Sequence, residues 1–308
     1  MDFVELITPT DPEYVAVGRR LHAERSDLQQ AYPDPDGLGF RKWLAVSGLL
    51  EYPDQLGRFF PAVPPEDLRR TGCGGVGVHN HLYTALEDFE TIHEAWRIYG
   101  DRPYEELGTV LDFGCGCGRT ARWLSQTLPD AKIHGCDVRR AGIDWCNENL
   151  RGDFQHSATT PPLPFEDDSM DLVVGLSLFS HFDRASSIAW LRELVRVCRP
   201  GGRLLLTTHG AFSLWVIARS AEHQQSFHVD AAAAADLARR LQQEDFLFYE
   251  PPEEWFAVLD GPARDYGQAF MTERFVRDAW GADVEVSAYL PAGLFLFQDL
   301  YVLRPRSS

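Results

Sequence analysis

Residues 110–120 read Val-Leu-Asp-Phe-Gly-Cys-Gly-Cys-Gly-Arg-Thr, and this stretch decides how the rest of the chain is interpreted. It begins as an apolar strand, and glycine then stands at every second position from Gly114 to Gly118. Because glycine has no Cβ, the backbone can bend tightly there and approach a ligand closely. A helix that starts after such a turn directs unpaired N–H groups at an anionic group. The stretch therefore predicts a strand, a ligand-binding loop and a helix.

Apolar strands alternate with amphipathic helices on both sides of this loop. Such alternation is typical of a mainly parallel sheet with helices on both faces, connected by right-handed crossovers in a doubly wound order. The predicted strands are 109–113, 132–137, 171–177 and 203–208, and the predicted helices between them are 119–127, 140–150 and 184–198.

The ends of the chain depart from this rhythm. Residues 1–105 are rich in proline and glycine and predict a mainly helical N-terminal cap, and residues 106–308 predict the α/β domain. An insertion at about 211–268 interrupts the domain after its fifth strand and predicts a helical, aromatic-rich lid. Two final strands around a turn at Pro291–Gly293 predict an antiparallel hairpin on the sheet edge.

Composition and charge exclude several classes of function. The chain has 308 residues, 44% hydrophobic and 24% charged, with a formal net charge of −17. So acidic a surface repels nucleic-acid backbones and anionic membranes, so neither partner is expected. No apolar run is long enough to span a bilayer, and the N-terminus does not resemble a signal peptide. The six cysteines form no disulfide framework, which predicts reduced thiols and a cytoplasmic protein.

The decisive stretch resembles the first motif of the class I S-adenosylmethionine-dependent methyltransferases. That motif is a strand followed by an acid and three alternating glycines, and it matches Asp112 and the glycines that follow. A dinucleotide-binding loop would instead place its third glycine at position 119, where this chain has Arg119. The resemblance implies that Asp112, Gly114, Cys115 and Gly116 hold the methionine part of the cofactor.

Four further features occur in the order of that family. The second strand ends in Asp137, followed by Val138, and an acid at this place can accept hydrogen bonds from both ribose hydroxyls. Residues 163–177 resemble the segment that leads into the family's fourth strand, and 199–202 resemble the turn before its fifth strand. The closing hairpin matches the antiparallel strands that distinguish this fold from dehydrogenases.

The resemblance therefore implies a Rossmann-like, doubly wound, mainly parallel seven-stranded sheet with an antiparallel terminal hairpin, a helical N-terminal cap and a helical insertion after strand 5. One position departs from the family, since no acid precedes the segment at 163 to contact the adenine amino group. Backbone atoms of Ser157 and Ala158 are the predicted substitutes, and Ser177 is expected beside the cofactor at the end of the fourth strand.

Histidines at strand ends are the candidate general bases for a hydroxyl acceptor. His181 follows the fourth strand and is the first candidate, and His209 ends the fifth strand and is the second. His79 and His81, which precede the domain, are weaker candidates that would have to reach over the crevice. Each has a structural alternative, as a helix cap or a packed surface residue.

A metal site is not expected. The Cys115 and Cys117 pair has C-x-C spacing, whereas zinc sites show wider pairs, and both cysteines occupy small-residue positions in the loop. The fourth strand ends at Ser177 without an acid before Asp183, so a magnesium site is not predicted there either.

The sequence predicts an enzyme that binds S-adenosylmethionine and methylates the oxygen or nitrogen of a small-molecule acceptor. A looser similarity to bacterial methyltransferases of glycan or secondary-metabolite biosynthesis favours a secondary metabolite or sugar. Two alternatives stay open: cyclisation or rearrangement with the cofactor bound, and a non-catalytic S-adenosylmethionine-binding protein. A homodimer is possible.

Overall fold

The computed structural model describes residues 3–72, 77–250 and 266–306. Its N-terminal part packs short helices around one long helix, α8 (Val78–Tyr99), which buries Leu82, Phe89 and Trp96 at helical spacing. Gly100 follows α8 as its C-terminal cap. The short helices are α1 Phe3–Ile7, α2 Pro12–Glu24, α3 Ser26–Ala31, α4 Leu38–Trp43, α5 Leu49–Glu51, α6 Pro53–Leu56 and α7 Glu66–Gly72, with a π-helical turn at Leu44–Gly48 and 3₁₀ turns at Gly57–Phe59 and Tyr104–Glu106.

A seven-stranded sheet forms the centre of the molecule, in the order β3-β2-β1-β4-β5-β9-β8. The first five strands of this order pair in parallel, β9 pairs antiparallel with β5, and β8 pairs antiparallel with β9. The predicted doubly wound sheet with an antiparallel terminal hairpin is therefore confirmed. The strands are β1 Thr109–Phe113, β2 Lys132–Asp137, β3 Asp153–His156, β4 Met170–Gly175, β5 Cys198–Thr208, β8 Val284–Leu294 and β9 Gln298–Pro305.

Crossover helices connect the parallel strands. They are α9 Ala121–Thr127, α10 Arg140–Asn149 and α11 Arg184–Val197. The start of α11 is fixed by Asp183, whose carboxylate accepts a hydrogen bond from the Ser186 N–H at 2.7 Å. The segment between β4 and α11 therefore lies at the carboxyl edge of the sheet.

Two apolar cores lie on opposite faces of the sheet. On one face, N-terminal residues such as Phe89 and Trp96 pack with Val110 and Val302 of the sheet. On the other face, α11 and Trp280 pack against Leu111 and its neighbours. Trp280 belongs to a π-helical turn, Val276–Trp280, which directly follows the short helix α15 Glu273–Phe275. The N-terminal helices thus share a core with the sheet rather than enclosing one of their own.

The insertion after β5 contains the predicted helices and, in addition, a small sheet that the sequence did not indicate. Three helices, α12 Ala211–Ile217, α13 Ala221–Phe227 and α14 Ala231–Glu244, are followed by a two-stranded antiparallel sheet of β6 Phe246–Tyr249 and β7 Gln268–Met271. Phe246–Tyr249 is a run of four aromatic or apolar residues, and a run this short does not distinguish a strand from a helix. Residues 251–265 of the insertion lie outside the described residues.

The predicted turn at Pro291–Gly293 is wrong, because these residues continue β8. The chain reverses instead at 295–297, where Phe295 and Leu296 adopt left-handed φ values of 55° and 51°. Burial explains the shift: Leu294 is fully buried and pairs with Gln298, so the strand cannot end before it.

Candidate active site

The glycine loop after β1 has the backbone geometry that its sequence predicts. Gly114, Gly116 and Gly118 have φ values of 76°, 59° and 80°, a region that other residues rarely adopt. A Cβ at Gly114 would lie 2.7 Å from the Leu178 side chain, and one at Gly118 would lie 2.5 Å from Leu150. The loop is therefore a closely packed cradle that tolerates glycine alone at these positions.

Asp137, at the end of β2, is the hydrogen-bonding centre beside the loop. Its Oδ2 accepts the Gly116 N–H at 2.9 Å, and its Oδ1 accepts the Arg139 N–H at 2.8 Å. The Arg139 side chain adds Nε to Oδ1 at 3.0 Å and Nη2 to Oδ2 at 3.3 Å. Asp137, the predicted ribose acceptor, thus holds the loop in place. Both of its carboxylate oxygens are also bound by the guanidinium of Arg139.

Asp112 lies on the face of the sheet where α8 packs, the face that Val110 also shares. Its carboxyl accepts the N–H of Ala121 at the start of α9, and its Oδ2 has no hydrogen-bond partner among the described residues. Burial, and next the negative charge of Asp88, raise the pKa of Asp112 to about 7, while Arg119 opposes the shift. An acid at this point of the motif is consequently poised between its two protonation states.

His181 lies beyond β4, between the sheet and the insertion. Its Nδ1 is 2.8 Å from the carbonyl oxygen of Gly267; since a carbonyl only accepts, Nδ1 carries the proton and Nε2 is the basic nitrogen. The backbone N–H of Gly267 returns a bond to the His181 carbonyl at 2.7 Å. Burial lowers the pKa of His181 to about 4. The imidazole is therefore neutral at physiological pH and has a fixed orientation.

His209 is close to His181 but more enclosed. The two ring centroids are 5.9 Å apart, and His209 is only 2% exposed, with Phe227, Phe270 and Phe297 within 5.4 Å of its ring centroid. Burial lowers its pKa well below the usual value. Such an aromatic enclosure suits a packed neutral imidazole better than a proton acceptor in contact with a substrate.

A polar network connects the ends of β4, β5 and β9 beneath these histidines. Gln298 Oε1 accepts hydrogen bonds from the hydroxyls of Ser177 at 3.2 Å and Thr207 at 2.6 Å. Because Oε1 is committed as an acceptor, the amide nitrogen faces His209 Nε2, at 3.4 Å. Ser177 has a left-handed φ of 56°, and its N–H is bonded to Thr207 Oγ1 at 2.7 Å. The predicted cofactor residue Ser177 is thus held by residues of β5 and β9.

The remaining residues that the sequence predicts for the site differ in how deeply they are buried. Val138 is half-buried after β2, and Ser157 is buried, with its N–H donated to the Asp137 carbonyl at 3.0 Å. Ala158 is exposed beside it. His79 is exposed on α8, where its Nε2 is 3.1 Å from Ser47 Oγ, so it does not reach the edge of the sheet where His181 lies.

Three residues that sequence reasoning missed complete this part of the molecule. They are Arg139, Gln298 and Tyr266, whose ring centroid is 5.0 Å from that of His181. Burial raises the pKa of Tyr266 above its usual value, so it is a neutral phenol. Arg139 had a usable signal, since it follows a strand-ending acid by two positions; Gln298 had none, because its contacts depend on the pairing of β9 with β5.

An open cleft of about 390 Å³ adjoins the end of β5. Its walls are the stacked rings of Phe212 and Trp215, with centroids 5.3 Å apart, and it continues to Tyr289 and Asp299. Tyr289 donates its hydroxyl to Asp299 at 2.9 Å, and Gly210 lies against the same carboxylate, with which a Cβ at that position would clash. This cleft is apolar on one side and polar at its floor.

Two negative findings concern the described residues. No group of three histidine, cysteine or acidic side chains within 3–72, 77–250 and 266–306 has the arrangement of a metal site. None of the helices formed by these residues has both the length and the apolar composition needed to cross a membrane.

Comparison with known proteins gives a match over the centre of the chain. Residues 110–202 match a family described as "Methyltransferase domain". The phthiotriol/phenolphthiotriol dimycocerosates methyltransferase 1 of Mycobacterium ulcerans is 39% identical over 109 residues, 32% of this chain and 36% of that protein. Methyltransferase GfsG of Streptomyces halstedii is 29% identical over 140 residues (42% and 49%), and the fatty-acid O-methyltransferase of Mycolicibacterium smegmatis is 35% identical over 103 residues (32% and 36%). The match spans less than half the length of each relative.

Among solved structures, magnesium protoporphyrin IX methyltransferase of Synechocystis PCC 6803 has a TM-score of 0.47 at 13% identity, covering 86% of this chain and 97% of that one. The family match covers the residues of the glycine loop, Asp137 and β4. The antiparallel last pair of strands lies outside the matched residues and is seen in the strand order of the sheet. Residues 110–202, which contain the glycine loop, are therefore similar to a methyltransferase domain.

Proposed function

We propose that this protein transfers the methyl group of S-adenosylmethionine to an oxygen or nitrogen atom of a small, largely apolar acceptor. The observation that carries the proposal is convergence: the glycine loop, Asp137, Ser177 and His181 all follow the carboxyl ends of neighbouring strands, β1, β2 and β4. Ligands of open α/β sheets bind at this edge. A cofactor and an acceptor bound there would meet beside His181.

The residues present fit the cofactor. The left-handed glycines of the loop at Gly114–Gly118 let its backbone turn tightly at the end of β1, where the cofactor would bind. Asp112, Gly114, Cys115 and Gly116 would hold the methionine part, and Asp137 would accept the ribose hydroxyls. Val138, Ser157 and Ala158 would surround the adenine, and Ser177 would lie beside the sulfur. When bound, the cofactor supplies a methyl group on a sulfonium as the electrophile.

His181 is the residue that we assign to proton transfer. Its Nδ1–H is committed to Gly267, so Nε2 can accept the proton that a hydroxyl or amine acceptor loses. A neutral imidazole is required for this role, and the lowered pKa supplies one across the physiological range. His209 and Gln298 would shape the floor of the site and orient the polar network below it, rather than exchange protons with the acceptor.

The surroundings favour an apolar acceptor. The rings of Tyr266 and of the phenylalanines around His209 line this part of the molecule, and a cleft with Trp215 adjoins the end of β5. One of the relatives is named for a fatty acid as its acceptor, which is of this chemical kind. Positioning in a dry, shaped site can supply much of the rate of such a transfer.

The proposal also covers where the protein acts. The five cysteines that the structure describes are all buried free thiols, which supports a reducing compartment such as the cytoplasm. The net charge of −17 favours a small-molecule acceptor over nucleic acid.

The test is turnover with the purified chain. It would be incubated with S-adenosylmethionine and a panel of fatty acids, long-chain alcohols, phenols and amines, and S-adenosylhomocysteine would be measured by mass spectrometry. We expect acceptor-dependent S-adenosylhomocysteine with a methylated product in the same amount. A product that is altered without stoichiometric S-adenosylhomocysteine would contradict the proposal, as would a protein that does not bind S-adenosylhomocysteine in calorimetry.

A further inference from the structure

One face of α8 carries polar residues toward the glycine loop although α8 precedes the matched domain. His81, Thr84 and Asp88 are spaced three and four residues apart, so they share a face of the helix. Thr84 Oγ1 accepts from Arg119 Nη1 at 3.4 Å, and the Asp88 carboxylate is 3.1 Å from Arg119 Nη2. Arg119 directly follows Gly118, so this face of α8 lies against the end of the loop.

Asp112 joins this group from the sheet side. The negative charge of Asp88 raises its pKa and the positive charge of Arg119 lowers it, so the three charges are within electrostatic reach of one another. Thr120 donates its hydroxyl to Asp88 Oδ2 at 3.3 Å. We call His81, Asp88, Asp112 and Arg119 the α8 polar cluster.

The cluster contains buried polar atoms that the described residues do not satisfy. His81 is fully buried, yet neither of its ring nitrogens has a hydrogen-bond partner in the part of the chain that the structure describes. The same holds for Oδ2 of Asp112, which is 4% exposed. Buried polar groups are almost always paired, so atoms of this kind point to a ligand or to ordered water.

The cluster has the charges that a zwitterion needs. Asp88 and Asp112 supply carboxylates, and Arg119 supplies a guanidinium that can bind a carboxylate through two parallel N–H groups. His81 supplies a further ring N–H. A ligand with an ammonium and a carboxylate on one carbon would find a partner for each group within this cluster.

We propose that the α8 polar cluster binds the amino-acid end of the cofactor, with the ammonium on Asp88 and Asp112 and the carboxylate on Arg119 and His81. This proposal rests on the cofactor of the proposed function, but not on methyl transfer. It makes the N-terminal segment part of the cofactor site. Asp137 would then serve the adenosine part alone.

The test compares two ligands that differ at the amino-acid end. S-adenosylhomocysteine carries the ammonium and the carboxylate, and 5′-methylthioadenosine keeps the adenosine and the sulfur but lacks both groups. Their dissociation constants would be measured by calorimetry for the wild type and for Asp88→Asn. We expect Asp88→Asn to raise the dissociation constant of S-adenosylhomocysteine by about tenfold or more, because the variant loses a charged hydrogen bond to the ligand. The affinity for 5′-methylthioadenosine should stay within about twofold of wild type, since it makes none of these contacts.

Glu90→Gln is the matched control, because Glu90 lies on α8 but pairs with Lys42 away from Arg119. It should leave both affinities unchanged. Since Asp88 is fully buried and its replacement can impair folding, His81→Gln and Arg119→Lys repeat the comparison, with circular dichroism to confirm the fold. Equal weakening of both ligands in the folded variants, or no change in either, would overturn the proposal, and so would a wild type that binds neither ligand. A wild type that shows the expected selectivity but no methyl transfer would leave this inference standing and remove the proposed function.

Discussion

The guanidinium of Arg139 closes over the carboxylate of Asp137, with Nε 3.0 Å from Oδ1 and Nη2 3.3 Å from Oδ2. Both partners are largely buried, at 16% and 6% side-chain exposure. Ribose hydroxyls need the same carboxylate oxygens as acceptors. Cofactor binding therefore has to compete with an internal ion pair, and the strength of that competition is a measurable property of the protein.

Replacement of Arg139 by Met should tighten S-adenosylhomocysteine binding. The variant keeps an apolar stem of similar length and removes the competing charge, so we expect the dissociation constant to fall by about threefold to tenfold, within the range of partly buried pairs. Calorimetry at low and high salt checks the result, because the advantage over wild type should shrink as salt weakens the ion pair.

Arg140→Met is the control for Arg139→Met, since Arg140 is the neighbouring residue and is exposed at the start of α10. It should leave the affinity unchanged. Asp137→Ala should act in the opposite direction and weaken binding, because it removes the ribose acceptor and the bond to Gly116. Weaker binding by Arg139→Met would show that the guanidinium supports the cofactor instead of competing with it.

Asp112 should make stability fall with rising pH. Its pKa is raised from 3.8 to about 7 in the folded state, so the protonated form is favoured by folding. The stabilisation is complete below pH 4 and is lost as pH rises to about 7. Each unit by which folding raises the pKa corresponds to roughly 1.4 kcal/mol of unfolding free energy. Asp88, Arg119 and Asp137 are the charges that act on it. Asp112→Asn should therefore unfold at a higher temperature than wild type at pH 8.

The comparison needs thermal unfolding at several pH values. The difference between Asp112→Asn and wild type should disappear near pH 4, where both carry a neutral side chain, and exposed Asp130→Asn should show no such pattern. A lower melting temperature for Asp112→Asn at pH 8 would mean that the fold stabilises the ionised carboxylate, which contradicts a raised pKa. The same variant should bind S-adenosylhomocysteine more weakly.

His181 should determine the pH profile of turnover. As a base with a pKa of about 4, it is active when neutral, so the rate should rise with pH through that value and stay level from about pH 6 to 8. His181→Gln should lower kcat by about a hundredfold or more and leave S-adenosylhomocysteine binding near wild type.

The exposed His79 provides the matched substitution, since its contact is with Ser47 on the N-terminal cap. His79→Gln should leave kcat unchanged. If His181→Gln keeps near-native turnover, the acceptor needs no base from this residue, and His209→Gln becomes the next variant to measure.

The sheet was predictable from the sequence where local pattern decides it. β1 and β2 begin and end at the residues that the apolar runs indicate. β3 was missed, because this four-residue edge strand buries only Phe154 and has no apolar run to mark it. The turn after β8 was misplaced because proline and glycine signal a turn locally, whereas the burial of Leu294 keeps that segment in the strand.

The site was predictable to the level of strand ends but not of side-chain contacts. Asp137 ends β2 and His181 lies in the segment after β4, so both could be placed at the carboxyl edge of the sheet from the sequence. The contact of Gln298 with His209 joins residues 89 apart and depends on how β9 pairs with β5. The meeting of Arg119 with Asp88 likewise depends on the packing of α8, which no local pattern specifies.

Trp215 should contribute to acceptor affinity and not to cofactor affinity. It is 51% exposed, stacks on Phe212 and lines the cleft beyond β5. An acceptor that buries an apolar chain on this ring would lose about 1–3 kcal/mol with Trp215→Ala, so KM should rise by roughly tenfold while kcat and S-adenosylhomocysteine binding change little. Ile98→Ala, which removes an exposed apolar side chain on α8, should leave KM unchanged. Because shorter acceptors have less surface to bury, the effect should also diminish as the acceptor chain is shortened; an effect independent of chain length would place the acceptor outside this cleft.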